Sequence, residues 1–418
     1  QATVPFTVHV DPELDPARIE VQGRTVVLKA GEYSEWVPVK FEMIRAVSSV
    51  HGIARFLLKE AHPHVKIYVT PINIDPANQA MPVTHPKSYG ADLARAVGPF
   101  WTKGLPADTK AFDYRIINDE QYVGQAELLL REQVAQFDYE FSRFKSGFFY
   151  HYISNTDQDL HMLWRNMDET HPMHAASDAR FAGYIPHLYE EMDKIVGKVL
   201  PAIDDNTLLL ICSDHGFAPF GRQFHLNTWL RDNGYLKLRK DAAGKAETTI
   251  LDVDWSETLL YGIGFNGLYV NRKGREGNGI VDDSEADEIV RRASRELEAI
   301  EDPETGIRPV HKVYQRDELY VGAETPIMPE MLVGYTPGYR SSAPSVLGET
   351  GKAIIDINPW AWSGDHSMSR DLIPGSLFAS SKLPGGEANI LDLPVTILDY
   401  FGIPKPPQMV GKSLFRSV

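Results

Sequence analysis

The chain has 418 residues, with 42 Lys and Arg against 57 Asp and Glu, a net charge of −15, and hydrophobic and charged fractions of 43% and 24%. That balance suits a globular protein with a large buried core and excludes a broad nucleic-acid surface or a surface for anionic membranes. It leaves room for an anionic substrate, because a bound metal reverses the local field. The one cysteine, Cys212, excludes an intrachain disulfide, and no apolar stretch approaches membrane-spanning length.

Residues 1–75 carry short alternating patterns at 6–10, 18–23, 24–29, 36–41 and 65–69, with turns between them such as Lys29-Ala30-Gly31-Glu32. They predict a small antiparallel β module, a cap or packing insert without a catalytic constellation. Pro71, Pro76, Pro82, Pro86, Pro99 and Pro106 break residues 71–113 into loops. Residues 118–145 read as a long helix capped by Asn118, with Leu130, Val134, Phe137, Phe141 and Phe144 recurring on its core face. Residues 147–154 are apolar and aromatic and predict a buried strand; residues 180–200 predict a helix.

Residues 208–212 form a continuous apolar run, the pattern of a strand buried on both faces, with Cys212 as a small core residue. Strand, helix, strand at this spacing is a βαβ unit, so a parallel sheet follows. Further on, residues 227–238 read as a helix then a strand, 274–279 as a loop, and 284–300 as an amphipathic helix capped by Ser284. Residues 310–313 and 331–335 read as short strands, 359–368 as a loop with Trp, Gly and His, and 391–401 as a last helix. The fold class expected is α/β, a mostly parallel sheet sandwiched by helices, with the small antiparallel module at residues 1–75 and the main domain at 76–418.

The apolar run at 208–212 stops at Ser213-Asp214-His215-Gly216. Asp214 and His215 thus sit at the carboxyl end of an expected strand, where open α/β sheets place their ligands. An oxygen and an imidazole nitrogen make half a ligand set for zinc, manganese or iron. Asp157 and His161 follow the other expected strand at i, i+4 spacing, so a helix starting near Thr156 puts them on one face. His366, in Ser363-Gly364-Asp365-His366, is a fifth candidate ligand. Each alone also fits an ordinary surface or loop role; the five together, at these positions, point to a metal site. Asp365 and Arg165 are candidates for contacts behind the ligands or to phosphate, and His174 and His225 for lining the cleft.

These segments resemble the alkaline phosphatase superfamily, in its branch of type I phosphodiesterases, nucleotide pyrophosphatases and cofactor-independent phosphoglycerate mutases, and within it a group of phosphohydrolases or phosphomutases. The Asp-x-x-x-His segment is carried by Asp157 and His161, with Asp168 and His171-Pro172 after it; the Asp-His-Gly segment by Asp214-His215-Gly216; the last ligand loop by Gly364-Asp365-His366. Pro71 to Asp75, Asn271 to Glu276 and Met409 to Leu414 also match, and the resemblance spans roughly residues 65–418. It implies that Asp157, His161 and His366 bind one divalent ion and Asp214 with His215 a second, zinc or manganese, and that a Thr or Ser hydroxyl attacks phosphorus in line.

In the family the second ion is completed by an Asp and by that hydroxyl, both in an N-terminal strand-turn-helix. Residues 1–75 read instead as the β module, so an N-terminal segment of the same protein, outside this chain, is expected to complete the site. The chain by itself is expected to be nearly inactive. A small phosphate ester is the expected substrate, cleaved as a diester or a monoester. A phosphomutase, or a metal-binding module without catalysis, is the alternative. A sulfatase is disfavoured, because the Cys or Ser in a C/S-x-P-x-R setting that it needs is not evident. No targeting segment is legible, which leaves the compartment open.

Overall fold

The computed structural model describes residues 2–11, 16–44, 47–242, 244–245, 247–383 and 387–415. These form two compact units. The first comprises residues 1–169, 174–192 and 360–362; the second comprises 170–173, 193–359 and 363–418.

The first unit begins with strands β1 (Phe6–Val10), β2 (Ala17–Val21) and β3 (Arg24–Leu28), an antiparallel sheet in that order. The β2–β3 hairpin closes on Gln22 and Gly23, both at positive φ (47° and 76°), the twist that a two-residue hairpin loop requires. Strands β4 (Val37–Ile44), β5 (Ser48–Ala54), β6 (Phe56–Glu60), β7 (Lys66–Val69) and β8 (Asn73–Ile74) add the sheets β4-β5-β8 and β6-β7, again antiparallel. Ala17, Ile19, Val21, Leu28, Val37, Val39, Phe56 and Leu58 pack between them as one core, each on the inward side of an alternating strand.

Helices α1 (Tyr89–Val97), α2 (Thr109–Asp113), α3 (Asp119–Arg143), α4 (Asn155–Met167) and α5 (Tyr184–Val199) follow. Asn118 and Gln121 form a capping box that starts α3. The carboxylate of Glu132 on α3 accepts from Trp36 Nε1 (2.7 Å), Arg55 Nη2 (2.7 Å) and the Trp101 amide (3.0 Å), which ties the β strands to this helix.

Residues 147–154 depart from expectation. No ladder among the described residues includes them. Phe149 packs on Phe137, Phe141 and Phe144, and His151 on Phe137. Phe148 and Tyr150, pointing the other way, are exposed. The alternation of a strand is present, but only one face is covered.

Burial lowers the pKa of the His151 imidazole. A base lowered on folding adds stability above its unfolded value of about 6.5, and that stability is lost as pH falls through this value towards the folded one. In chemical denaturation the parent should therefore lose stability relative to His151→Phe on going from pH 7.5 to 5.5. An unchanged pH dependence in that variant would exclude His151 as its source.

The second unit holds β9 (Leu210–Cys212), β10 (Ala218–Phe224), α6 (Leu226–Asp232), β11 (Leu260–Gly262), β12 (Gly267–Val270), α7 (Asp283–Glu298), β13 (Val310–Gln315), α8 (Arg316–Leu319), β14 (Met331–Tyr335), β15 (Gly338–Ser341), α9 (Ala343–Val346), β16 (Ile355–Ile357), β17 (Gly364–Asp365), β18 (Leu377–Ala379) and α10 (Asp392–Tyr400). One sheet runs β11-β12-β14-β13, antiparallel throughout. Its core takes in Leu260, Leu268, Val270, Val313, Met331 and Val333 together with Ala286, Val290 and Leu297 of α7. In a second sheet β10 lies between β15, parallel to it, and β16, antiparallel, and also pairs with β17. Behind the first sheet, the buried Glu330 carboxylate gathers Arg275 (2.7 Å), Arg272 (2.8 Å) and Arg316 (3.3 Å).

The architecture is therefore mixed α/β with several sheets, in place of a mostly parallel one. Among the described strands only β10 and β15 pair in parallel. β9 pairs antiparallel with β18, and residues 147–154 join no ladder, so the expected βαβ unit lacks its first strand. The apolar run at 208–212 is half-exposed, and Cys212 is exposed instead of sitting in a core. Asp282, not Ser284, occupies the N-cap of α7. Among the described residues no helix is long and apolar enough to cross a membrane.

Candidate functional site

In the first unit, α4 carries Asp157 and His161. The helix starts where Ser154 accepts from Gln133 Nε2 (2.9 Å) and Asn155 donates to the Ala126 carbonyl of α3 (3.1 Å). One turn separates the two candidates, with His161 Nε2 3.6 Å from Asp157 Oδ1. Asp157 is half-buried and His161 buried. The Trp362 ring lies against the His161 imidazole, centroids 3.9 Å apart. Trp362 is held in turn by its own amide, which donates to Asp113 Oδ1 at 3.1 Å. Burial raises the pKa of that carboxyl, against the opposing effect of the Trp362 amide.

On the other side of α4, Asp159 is fully buried. It accepts from Asn155 Nδ2 (3.1 Å), Tyr122 Oη (3.2 Å) and Tyr184 Oη (3.4 Å). Burial pushes its carboxyl up to about 7, although these donors oppose the shift.

In the second unit, Asp214 and His215 follow β9. Asp214 is exposed, and its Oδ1 lies 3.5 Å from His215 Nε2. His215 Nδ1 hydrogen-bonds the Gly216 carbonyl at 3.0 Å. With Nδ1 carrying the proton in that bond, Nε2 keeps its lone pair for a ligand, the arrangement typical of metal-binding histidine. Gly216 donates to the Ile373 carbonyl at 2.8 Å. A Cβ at Gly216 would meet the Pro374 carbonyl at 2.8 Å, so this turn admits only glycine.

The His366 ring stacks on His215 with centroids 3.5 Å apart and planes 13° apart. A ring nitrogen of one lies within 4.8 Å of a ring nitrogen of the other. Asp365 holds the His366 loop: its Oδ1 accepts from the amides of His366 (2.8 Å) and Ser367 (2.7 Å), while its Oδ2 meets Arg340 Nη1 at 2.9 Å.

Each unit thus brings its own candidates together, Asp157 with His161 in the first and Asp214 with His215 and His366 in the second. Asp365 stands directly behind His366. The Arg165 guanidinium lies over Phe112 (5.2 Å) and 3.7 Å from Asp119. His174 Nδ1 bonds the Arg165 carbonyl (2.7 Å), and His225 Nε2 bonds Asp356 (3.1 Å). Neither of these last two joins the pairs described above. Sequence reasoning missed Trp362, Asp113, Asp159 and Arg340. Only Asp159 had a local signal, a carboxylate midway between two candidate ligands on one helix.

Pairs of carboxylate and imidazole, one ring here held by a backbone carbonyl and the other by an indole, can hold a borderline divalent cation such as zinc. No curated protein and no solved structure matches the chain. The family model of type I phosphodiesterase / nucleotide pyrophosphatase matches residues 32–349, most of the chain and a stretch that contains both Asp–His pairs. The chain belongs to the type I phosphodiesterase / nucleotide pyrophosphatase family.

Proposed function

We propose that the chain acts in a metal-dependent phosphohydrolase that cleaves phosphodiester or phosphomonoester bonds. Asp157, His161, Asp214, His215 and His366 serve as ligands to two divalent ions, zinc or manganese. Two Asp–His pairs inside the matched residues, at 3.6 and 3.5 Å, carry the proposal. The donor set supports it, because imidazole and carboxylate together suit both metals. When bound, the ions polarise the phosphoryl oxygens and offset their charge.

The residues of the chain hold the ligands in place. The Gly216 carbonyl fixes the His215 ring. Trp362 limits rotation of His161. Asp365 fixes the backbone from which His366 projects. A Thr or Ser hydroxyl is the attacking group, and the substrate is a small phosphate ester. Hydrolysis of bis-p-nitrophenyl phosphate by the protein in its natural length should stop on chelation and return with zinc or manganese. Undiminished turnover after chelation would exclude the proposal.

A further inference from the structure

We propose that Asp159 is a positioning residue, whose carboxylate locks the rotation of α4 so that Asp157 and His161 present one common face. This rests on the assignment of those two residues as metal ligands. A helix turns about 100° per residue, so position 159 lies opposite the face that 157 and 161 share. There Asp159 is fully buried. Two of its three donors come from other elements, Tyr122 on α3 and Tyr184 on α5, while the third, Asn155, lies on α4 itself. Tyr122 is itself immobilised, buried and stacked on Phe112 at 4.7 Å.

Leu160, Met162 and Leu163 also bury α4, but apolar packing is non-directional. Directional bonds to fixed donors are what set a helix's angle about its own axis. At its start α4 is tied to α3, where Ser154 accepts from Gln133 and Asn155 donates to the Ala126 carbonyl, and Asp159 adds the directional bonds at mid-helix. Among the described residues no basic side chain forms an ion pair with Asp159. A buried carboxylate without a cation is costly unless hydrogen-bonded, and a leucine would fill the same place without that penalty. A purely structural core position gives no reason for the carboxylate; an orientation role does.

The test is zinc affinity of the 418-residue chain, measured by competition with a chromophoric chelator, with circular dichroism as the folding control. Asp159→Leu should weaken the tightest site by about 10- to 100-fold at unchanged helix content, the size expected for loss of a group that orients a ligand. Asp159→Asn keeps an acceptor oxygen and the shape, and should stay within about threefold of the parent. Parent-like binding by Asp159→Leu would overturn the proposal, as would an equal loss in Asp159→Asn. If Asp159→Leu does not fold, the pair Tyr122→Phe with Tyr184→Phe decides: weakened binding supports the proposal and unchanged binding overturns it. Asp157→Asn separates the two levels. If it binds zinc like the parent, the ligand assignment fails; if it loses zinc while Asp159→Leu does not, only the positioning role fails.

Discussion

Asp214→Ala is expected to lower turnover of bis-p-nitrophenyl phosphate by the natural-length protein by at least about 10²-fold, because even one lost stabilising group at a reacting oxyanion removes about 10²–10³ in kcat. Asp214 is exposed and its near contact is His215, so the substitution should leave the thermal midpoint almost unchanged. His161→Ala should be equally damaging to turnover. His187→Ala, at a half-buried histidine 3.7 Å from Glu127, should keep full activity. If Asp214→Ala retained most of the turnover, the Asp-His-Gly turn would be structural only, and the site would have to be sought elsewhere in the chain.

Arg340→Met is expected to destabilise the second unit by about 3–5 kcal/mol, the usual consequence of leaving one member of a buried ion pair alone. Arg340 is 11% and Asp365 2% exposed at the side chain, and they meet at 2.9 Å. Solvent cannot replace the lost guanidinium, which also covers Phe220 at 5.1 Å. The double variant Arg340→Met, Asp365→Leu should recover much of the loss, since apolar replacement of both members is often close to neutral. It would still lose the carboxylate that holds the His366 and Ser367 amides, so stability should recover while metal affinity does not. Urea midpoints for the two variants check this; a change below about 1 kcal/mol for Arg340→Met would place the pair in the class of screened surface bridges.

What could be read from sequence was local. The Asn118 cap, the i, i+4 spacing of Asp157 and His161, and strand β14 each depend on a few neighbouring residues, and each is found where the pattern puts it. Residues 147–154 and 208–212 mislead because a continuous apolar run signals burial on both faces. One face of the first stays open, and among the described strands the second has only β18 beside it. Which strands pair is a long-range property that composition does not carry. The same holds for the residues behind the candidate ligands. Trp362 comes to His161 from 201 positions along the numbering, and Arg340 reaches Asp365 from a different strand. Neither has a spacing to detect. The segments at 157–161 and 214–216 were legible because their spacings are short and fixed, and the family match over residues 32–349 spans both of them.

We propose that divalent metal held by these five side chains is required for phosphoester cleavage. Its most direct test is turnover of bis-p-nitrophenyl phosphate by the natural-length protein, first stripped with chelator and then titrated with zinc or manganese. The expected result is no turnover after stripping and a return that saturates with added metal, absent in His161→Ala. Full turnover by the stripped protein, or restoration by metal in His161→Ala equal to that of the parent, would contradict it.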